Sequence, residues 1–269
     1  MNNKKIESKR DTESDQTRGT SSSSLERLIS VLDVIEESPT GLTFDQMLEV
    51  LQLTRSTLYR YVKILSEAGL ITSLPDLGYT LGPRVAELDY KMRAQDPLIS
   101  AARPVMAELS RSVGGVALLC RRYRDKVLCV HQEGSSATFR SAYERGRDLP
   151  LFRGAASRII LAQLHMRVVS RLYHKRPQEF AASGLGNTLA EVKASLAQIR
   201  HAGWCAIEGE ITAGVTGIAA AVFDNQNLVV GSLSITIGKV AMKEEDIGRI
   251  AEHVKFCASI VSNAIAAHK

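Results

Sequence analysis

The chain is poor in the residues that most often build catalytic and metal centres. Among its 269 residues there are four cysteines, and aromatic side chains make up 5%. Cys120, Cys129, Cys205 and Cys257 are scattered, the nearest two nine positions apart, and the histidines show no HxxxH spacing. No ligand pair of the zinc type is set up, so no metal is expected. Each cysteine lies in apolar or strand-like surroundings, which predicts buried, reduced thiols in a cytoplasmic protein. Although 45% of the residues are hydrophobic, no run of eighteen apolar positions occurs, which excludes a membrane-spanning helix. The first 22 or so residues are polar, rich in Ser and Thr and mixed in charge, without the apolar stretch of a secretory signal. Residues 1–23 are therefore read as a disordered arm. No phosphate-binding loop, dinucleotide fingerprint or GxSxG elbow is present, so no cofactor is expected. Ser157, His165 and Glu210 form a conceivable hydrolytic trio, and His131 with Glu133 a conceivable acid–base pair. Without a supporting motif these read as structural or solvent-facing residues, and no enzymatic activity is expected.

What the chain does have is concentrated between Ser24 and Leu81. Ser23-x-x-Glu26 and Thr43-x-x-Gln46 fit the capping box, in which a hydroxyl and a carboxyl or amide group satisfy exposed backbone donors at a helix start. Leu25, Leu28, Ile29, Leu32 and Ile35 follow the first box at helical spacing, and Met47, Leu48 and Leu51 follow the second. Thr54 is a third N-cap, for a helix running to about Ala68, with Gly69 as the residue that ends it. Leu58, Val62 and Leu65 mark that helix's core side. Thr54, Arg55, Ser56, Thr57, Tyr59, Arg60 and Lys63 supply cations and short polar groups elsewhere on it, with no acid before Glu67. A helix that enters the major groove needs cations for phosphates and small polar groups for base edges. Ile71 to Leu74 and Tyr79 to Leu81, around Pro75-Asp76-Leu77-Gly78, then read as a hairpin. Three capped helices and a hairpin predict a winged helix-turn-helix over residues 24–83, and double-stranded operator DNA as partner. The net charge of +5 is compatible with that partner and modest for the length.

Val85, Leu88 and Met92 recur along residues 84–97, a linker helix whose stripe suits a dimer contact. Residues 98–269 alternate helices with short strands: Leu98 to Ser112 is helical, Val116 to Cys120 and Lys126 to Val130 form one hairpin, and Gly217 to Phe223 and Leu228 to Ile237 another. Helices are expected near Ala155 to Leu164, Arg167 to Tyr173, Leu189 to His201 and Lys243 to Ala267. Hairpin connections imply antiparallel pairing, so the class is α+β, with helices packed on one sheet.

In this arrangement the chain resembles the IclR-type transcriptional regulators. The likeness rests on Ser24-Leu25-Glu26-Arg27, Arg55-Ser56-Thr57-Leu58-Tyr59-Arg60, Tyr79-Thr80-Leu81-Gly82-Pro83-Arg84 and Gly214-Val215-Thr216-Gly217-Ile218-Ala219-Ala220-Ala221-Val222-Phe223-Asp224, and extends from about residue 24 to 266. It implies a homodimer or homotetramer without membrane attachment, and a C-terminal GAF-like or profilin-like antiparallel sheet covered by helices, which binds a small effector, often a carboxylate or an aromatic acid. Carried over by position, the effector site comprises Phe152, Arg153, Gly154, Ala155 and Ala156, the segment Ile207-Glu208-Gly209-Glu210, Gly217, and Ser234 with Thr236. A loop leading into a helix at Ala155 can aim backbone N–H groups at an anion. Where many members have His-Ala-Thr this chain has Phe152-Arg153-Gly154, and Gly217 and Ile207 replace a frequent Cys and acid. Those departures imply a roomier, less polar site and a bulkier or aromatic ligand. Arg153 and Arg158 are candidates for pairing with a carboxylate, for salt bridges to Glu208 or Glu210, or for plain surface exposure. The alternative to an operator-binding regulator is a ligand-sensing or protein-interaction module that no longer reads DNA.

Overall fold

The computed structural model describes residues 23–136, 143–238 and 245–267. The arm expected over residues 1–23 therefore lies, up to residue 22, outside the described residues, as does the expected helix start at Lys243. The chain divides into two compact units, one ending at Tyr90 and one beginning at Lys91. Among the described residues no helix is long and apolar enough to cross a membrane.

In the first unit, α1 (Ser24–Glu37), α2 (Phe44–Leu51) and α3 (Arg55–Glu67) begin as the sequence dictates. Both capping boxes are closed: Glu26 N–H donates to Ser23 Oγ at 3.2 Å and Ser23 N–H to Glu26 Oε2 at 2.6 Å, with the same reciprocity between Thr43 and Gln46. Thr54 Oγ1 accepts from Thr57 N–H at 3.3 Å at the head of α3. The core is Val31, Ile35, Met47, Leu58, Tyr61, Val62, Leu65 and Ile71. It corrects the sequence reading of α1, because Leu25 and Ile29 are 72% and 53% exposed while Val31 is fully buried. An apolar stripe at helical spacing fixes a face, but not how far round the helix its neighbours reach.

Strands β1 (Ile71–Leu74) and β2 (Gly78–Leu81) pair antiparallel, with Leu77 N–H closing the turn onto Leu74 O. Tyr79 and Leu42 exchange both backbone hydrogen bonds, at 2.7 and 3.0 Å, which fastens this wing to the α1–α2 connection. Gly78 sits at φ +77°, and a Cβ there would meet the Leu42 carbonyl. Gly78→Ala is expected to cost about 1–3 kcal/mol through left-handed strain and to loosen the wing. The check is the unfolding midpoint together with hydrogen exchange at Tyr79; unchanged protection there would contradict the role given to this glycine.

The second unit holds one six-stranded sheet in the order β5-β4-β3-β8-β7-β6, antiparallel throughout. Its strands are β3 (Val116–Tyr123), β4 (Lys126–Glu133), β5 (Asp148–Pro150), β6 (Trp204–Glu208), β7 (Val215–Phe223) and β8 (Val229–Gly238). The helices, after α4 (Arg84–Gln95), are α5 (Pro97–Val113), α6 (Ala155–Gln163), α7 (Met166–Lys175), α8 (Pro177–Ala182), α9 (Leu189–Ala202) and α10 (Asp246–Ala267). Ala117 and Leu119, Ile218, Ala220 and Val222, and Leu233, Ile235 and Ile237 face the core shared with α5 and α10. On the other face Leu118, Cys120, Ala219 and Ala221 pack with α6 and α9. Side chains alternate across a strand, so a sheet covered on both faces should be apolar on both. Strand β8 breaks that rule: alternating with its apolar residues stand Ser232, Ser234 and Thr236, all buried. The two edge strands β5 and β6 and the short helix α8 were not apparent from the sequence.

Candidate functional site

The first candidate surface is the outward side of α3. Thr54, Arg55, Ser56, Tyr59, Arg60 and Lys63 are exposed and Thr57 is half-buried, while Leu58, Tyr61, Val62 and Leu65 anchor the helix inward. The basic side is less free of acids than α3 alone suggests. Arg55 meets Asp45 of α2 at 3.1 Å and lies over the Phe44 ring, and Lys63 meets Glu67 at 3.8 Å. Both pairs are solvent-exposed, where such contacts contribute little and exchange readily for another anion. Arg60 has no ion pair among the described residues; its guanidinium stands 5.4 Å from the centre of the Tyr61 ring. The Thr54 hydroxyl is engaged in its own helix start, in contact with Thr57 Oγ1 at 2.8 Å.

The second candidate is a cavity between the head of α6 and the hydroxyl-bearing face of β8. Of the expected residues it brings together Gly154, Ala155, Ala156, Ile207, Gly217, Ser234, Thr236 and Glu210. Four expected residues lie elsewhere, among them Gly209, which is not part of the lining. Phe152 is buried in the apolar core against the Phe180 ring. Arg153 points to a separate surface groove and donates to the Glu210 carbonyl at 3.1 Å. Glu208 pairs with Thr216 across β6 and β7, one position out of phase with the Ile207–Gly217 pair that lines the cavity, so it occupies the opposite face. Leu118, Tyr143, Leu149, Ile211, Thr212 and Val215 complete the wall and were not foreseen. Leu118 could have been found by alternation, since it pairs with Ser234 in the register of β3 and β8. Leu149, on a three-residue edge strand, carries no such signal.

Polar groups in the cavity are few. Ser234 makes only a long contact of 3.5 Å with the Leu118 carbonyl. The side-chain hydroxyl of Thr236, a residue more than nine-tenths buried, makes no hydrogen bond among the described residues. Gly154 precedes α6 without a side-chain cap from its own residue. Its N–H donates to Glu210 Oε2 at 2.8 Å. The other carboxylate oxygen accepts from Arg158 Nη2 at 2.7 Å, and Arg158, 8% exposed, also donates to the Phe152 and Ser183 carbonyls. Of the roles open to Arg158, the ion pair with Glu210 is the one observed.

The conceivable catalytic groups are not assembled. Ser157 is fully buried, its hydroxyl without a partner among the described residues, His165 caps α7 by accepting from Arg167 N–H, and Glu210 is held by Arg158. His131 and Glu133 do touch, at 2.8 Å, on β4. Their register with Leu119 and Ala117 puts them on the sheet face away from the cavity. Among the described residues no cluster of three or more His, Cys, Asp or Glu side chains could hold a metal ion. All four cysteines are free and buried. Burial pushes the Cys205 thiol up to about 11, a change moderated by Arg158, and also raises Cys257. A side-chain hydrogen bond with Cys120 that favours the protonated thiol, together with burial, raises Cys129. Because the thiolate is the reactive form, Cys129, Cys205 and Cys257 in the native chain should resist iodoacetamide at pH 8 on a timescale that fully alkylates the urea-unfolded chain. Mass spectrometry reads the outcome, and rapid labelling of native Cys205 would contradict its placement.

Two family models match the chain. That of the IclR helix-turn-helix domain covers residues 24–75, and that of the bacterial transcriptional regulator IclR C-terminal domain covers residues 91–263. The DNA-binding transcriptional repressor YiaJ of Escherichia coli is 24% identical over 256 residues, spanning 93% of this chain and 90% of that protein. The fold is shared with an IclR transcriptional regulator from Alicyclobacillus acidocaldarius, with TM-score 0.74, 22% identity, and coverage of 90% of this chain and 98% of that one. It is shared also with an IclR homologue from Microbacterium hydrocarbonoxydans crystallised with 4-hydroxybenzoate, with TM-score 0.72, 21% identity, and coverage of 91% and 100%.

Proposed function

The chain belongs to the IclR family of DNA-binding transcriptional regulators, and on that premise we propose that it is a homo-oligomeric, effector-responsive regulator controlling genes for catabolism of a small organic acid with an apolar body of aromatic size. The observation that carries the effector half is the cavity itself. Two buried β8 residues with hydroxyls, Ser234 and Thr236, line it on a sheet face that packing alone would have made apolar, and the Thr236 hydroxyl has no hydrogen bond among the described residues. A cavity-lining hydroxyl without a protein partner is free to bond a polar group of a ligand. Leu118, Leu149, Ile207, Ile211 and Val215 suit the body of such a ligand, and the N–H groups opening α6 suit its acidic head. The 4-hydroxybenzoate held by the Microbacterium homologue has this chemistry.

The DNA half rests on the exposed cations and hydroxyls of α3. One recognition helix reads only a few base pairs, and a two-fold dimer doubles the contact over an inverted repeat. The exposed apolar side chains Val85, Leu88 and Met92 of α4 suit a dimer contact. Effector and operator are coupled by linkage: a ligand that prefers one state of the dimer changes DNA affinity by the ratio of its affinities for the two states, typically about 1–3 kcal/mol. The reading is non-enzymatic and places the protein with the chromosome in the cytoplasm.

Gly217→Met tests the cavity. A Cβ at this position meets only the Ala155 methyl, at 3.7 Å, so the longer side chain can extend into the cavity without displacing backbone. The variant is expected to fold, to bind operator as the parent does, and to lose at least tenfold in effector affinity by calorimetry, as a filled site must (about 1.4 kcal/mol per tenfold). An effector that binds both proteins equally would remove the cavity from the account.

A further inference from the structure

The cavity already contains a carboxylate. Glu210 is the acid in its lining, and its two oxygens are held at 2.8 and 2.7 Å by the Gly154 N–H and Arg158. This is the geometry an acidic effector would need, built from a helix head and a guanidinium that is itself more than nine-tenths buried and fixed by two backbone carbonyls. Glu210 belongs to the connection between β6 and β7, which supplies Ile211 and Thr212 to the same wall. Gly209 and Gly214 bound that connection, at φ +71° and +70°, and a Cβ on either would meet nothing within 4 Å. Such termini absorb large backbone rotations.

We infer that Glu210 is the resident ligand of a carboxylate seat formed by Arg158 and the Gly154 N–H, and that residues 209–214 are a lid which it latches. The inference rests on the effector reading above and adds how an acidic effector enters: its carboxylate takes the place of Glu210. The seat holds one carboxylate, so an occupied effector site and a latched lid exclude each other. That exclusion supplies the differential affinity without which a ligand cannot shift a conformational equilibrium. Exchange of one carboxylate for another leaves the seat's own hydrogen bonds nearly unchanged, so selectivity among acids falls to the body packed against Leu118, Ile207 and Val215 and to a group that Thr236 can bond. The freed Glu210 and its lid carry the signal.

The seat can be tested without knowing the effector, using formate as the probe. The full chain and its Glu210→Ala variant are unfolded thermally in sodium formate and, at matched ionic strength, in sodium chloride. In the variant the empty seat and unpaired Arg158 are expected to lower the midpoint, and formate to restore it progressively, because a ligand bound only by the native state raises apparent stability. The parent, its seat filled, is expected to show no formate-specific shift at the same concentrations. A folded variant indifferent to formate overturns the inference, as does a parent that responds equally. Should Glu210→Ala not fold in chloride, folding in formate supports the seat, and failure in both salts overturns it. The Gly217→Met experiment probes the cavity wall alone. A cavity that passes that test while the seat fails this one leaves the proposed function standing and removes only the exchange.

Discussion

Replacing Arg60 with alanine is expected to weaken operator binding by about ten- to a hundredfold, in line with roughly 1–3 kcal/mol for loss of one good arginine contact to a base or phosphate, while leaving the unfolding midpoint and effector affinity unchanged. The effect should be larger than at Arg55 or Lys63. Those two cations carry an acid partner in the free protein, Asp45 and Glu67, whereas Arg60 has none among the described residues. Its removal gives up only the contact with the Tyr61 ring, because Leu58, Tyr61, Val62 and Leu65 hold α3 from the inward side. Fluorescence anisotropy over a range of salt concentrations separates two modes of contact. A phosphate contact lowers affinity on all duplexes and reduces the salt slope by about one. A base contact lowers affinity on the operator selectively. Undiminished affinity on both kinds of duplex would sink the assignment of α3 as the reading helix.

Arg158→Ala is the second large expected effect, and it concerns stability. The substitution strands the Glu210 carboxylate, which is mostly enclosed, and leaves the Phe152 and Ser183 carbonyls without their donor. Breaking one side of a buried pair typically costs about 3–5 kcal/mol, against a total stability of about 5–15 kcal/mol for a domain. For a unit of this size the midpoint should fall by roughly 6–20 °C. The double replacement Arg158→Leu with Glu210→Leu should recover a large part of the loss, since a pair of apolar side chains leaves no charge uncompensated. A single variant as stable as the parent would contradict the burial and partners described for Arg158.

The same residues show what could and could not be read from the chain. Local chemistry was legible: Ser23 with Glu26 and Thr43 with Gln46 are satisfied within one turn, so their spacing suffices to mark a helix start. Strand alternation on β7 and β8 was equally legible, and it put Ser234 and Thr236 on one face as expected. Failures occurred where the deciding partner is remote. Glu210 meets Arg158 across 52 positions, and the sequence offered this pair as one option among several. Glu208 was assigned to the site from position in a motif, yet its phase on β6 sends it to the opposite face. Tyr61, amphipathic and next to Arg60, is a core residue because α3 packs there, a fact periodicity alone leaves undecided. Edge strand β5 is three residues long, too short for alternation to declare itself.

The central claim is that one protein couples a small acid in this cavity to DNA held by α3. Its most direct measurement is the affinity of the full-length protein for an operator obtained by selection from a random duplex pool. Affinity is read by anisotropy with and without an acid that raises the unfolding midpoint in a panel of aliphatic and aromatic carboxylates including 4-hydroxybenzoate. The account predicts a selected inverted repeat and a shift in affinity of about fivefold or more, in the range of ordinary coupling energies, that Gly217→Met abolishes. A selected operator whose affinity is the same with the cavity filled and empty would contradict it.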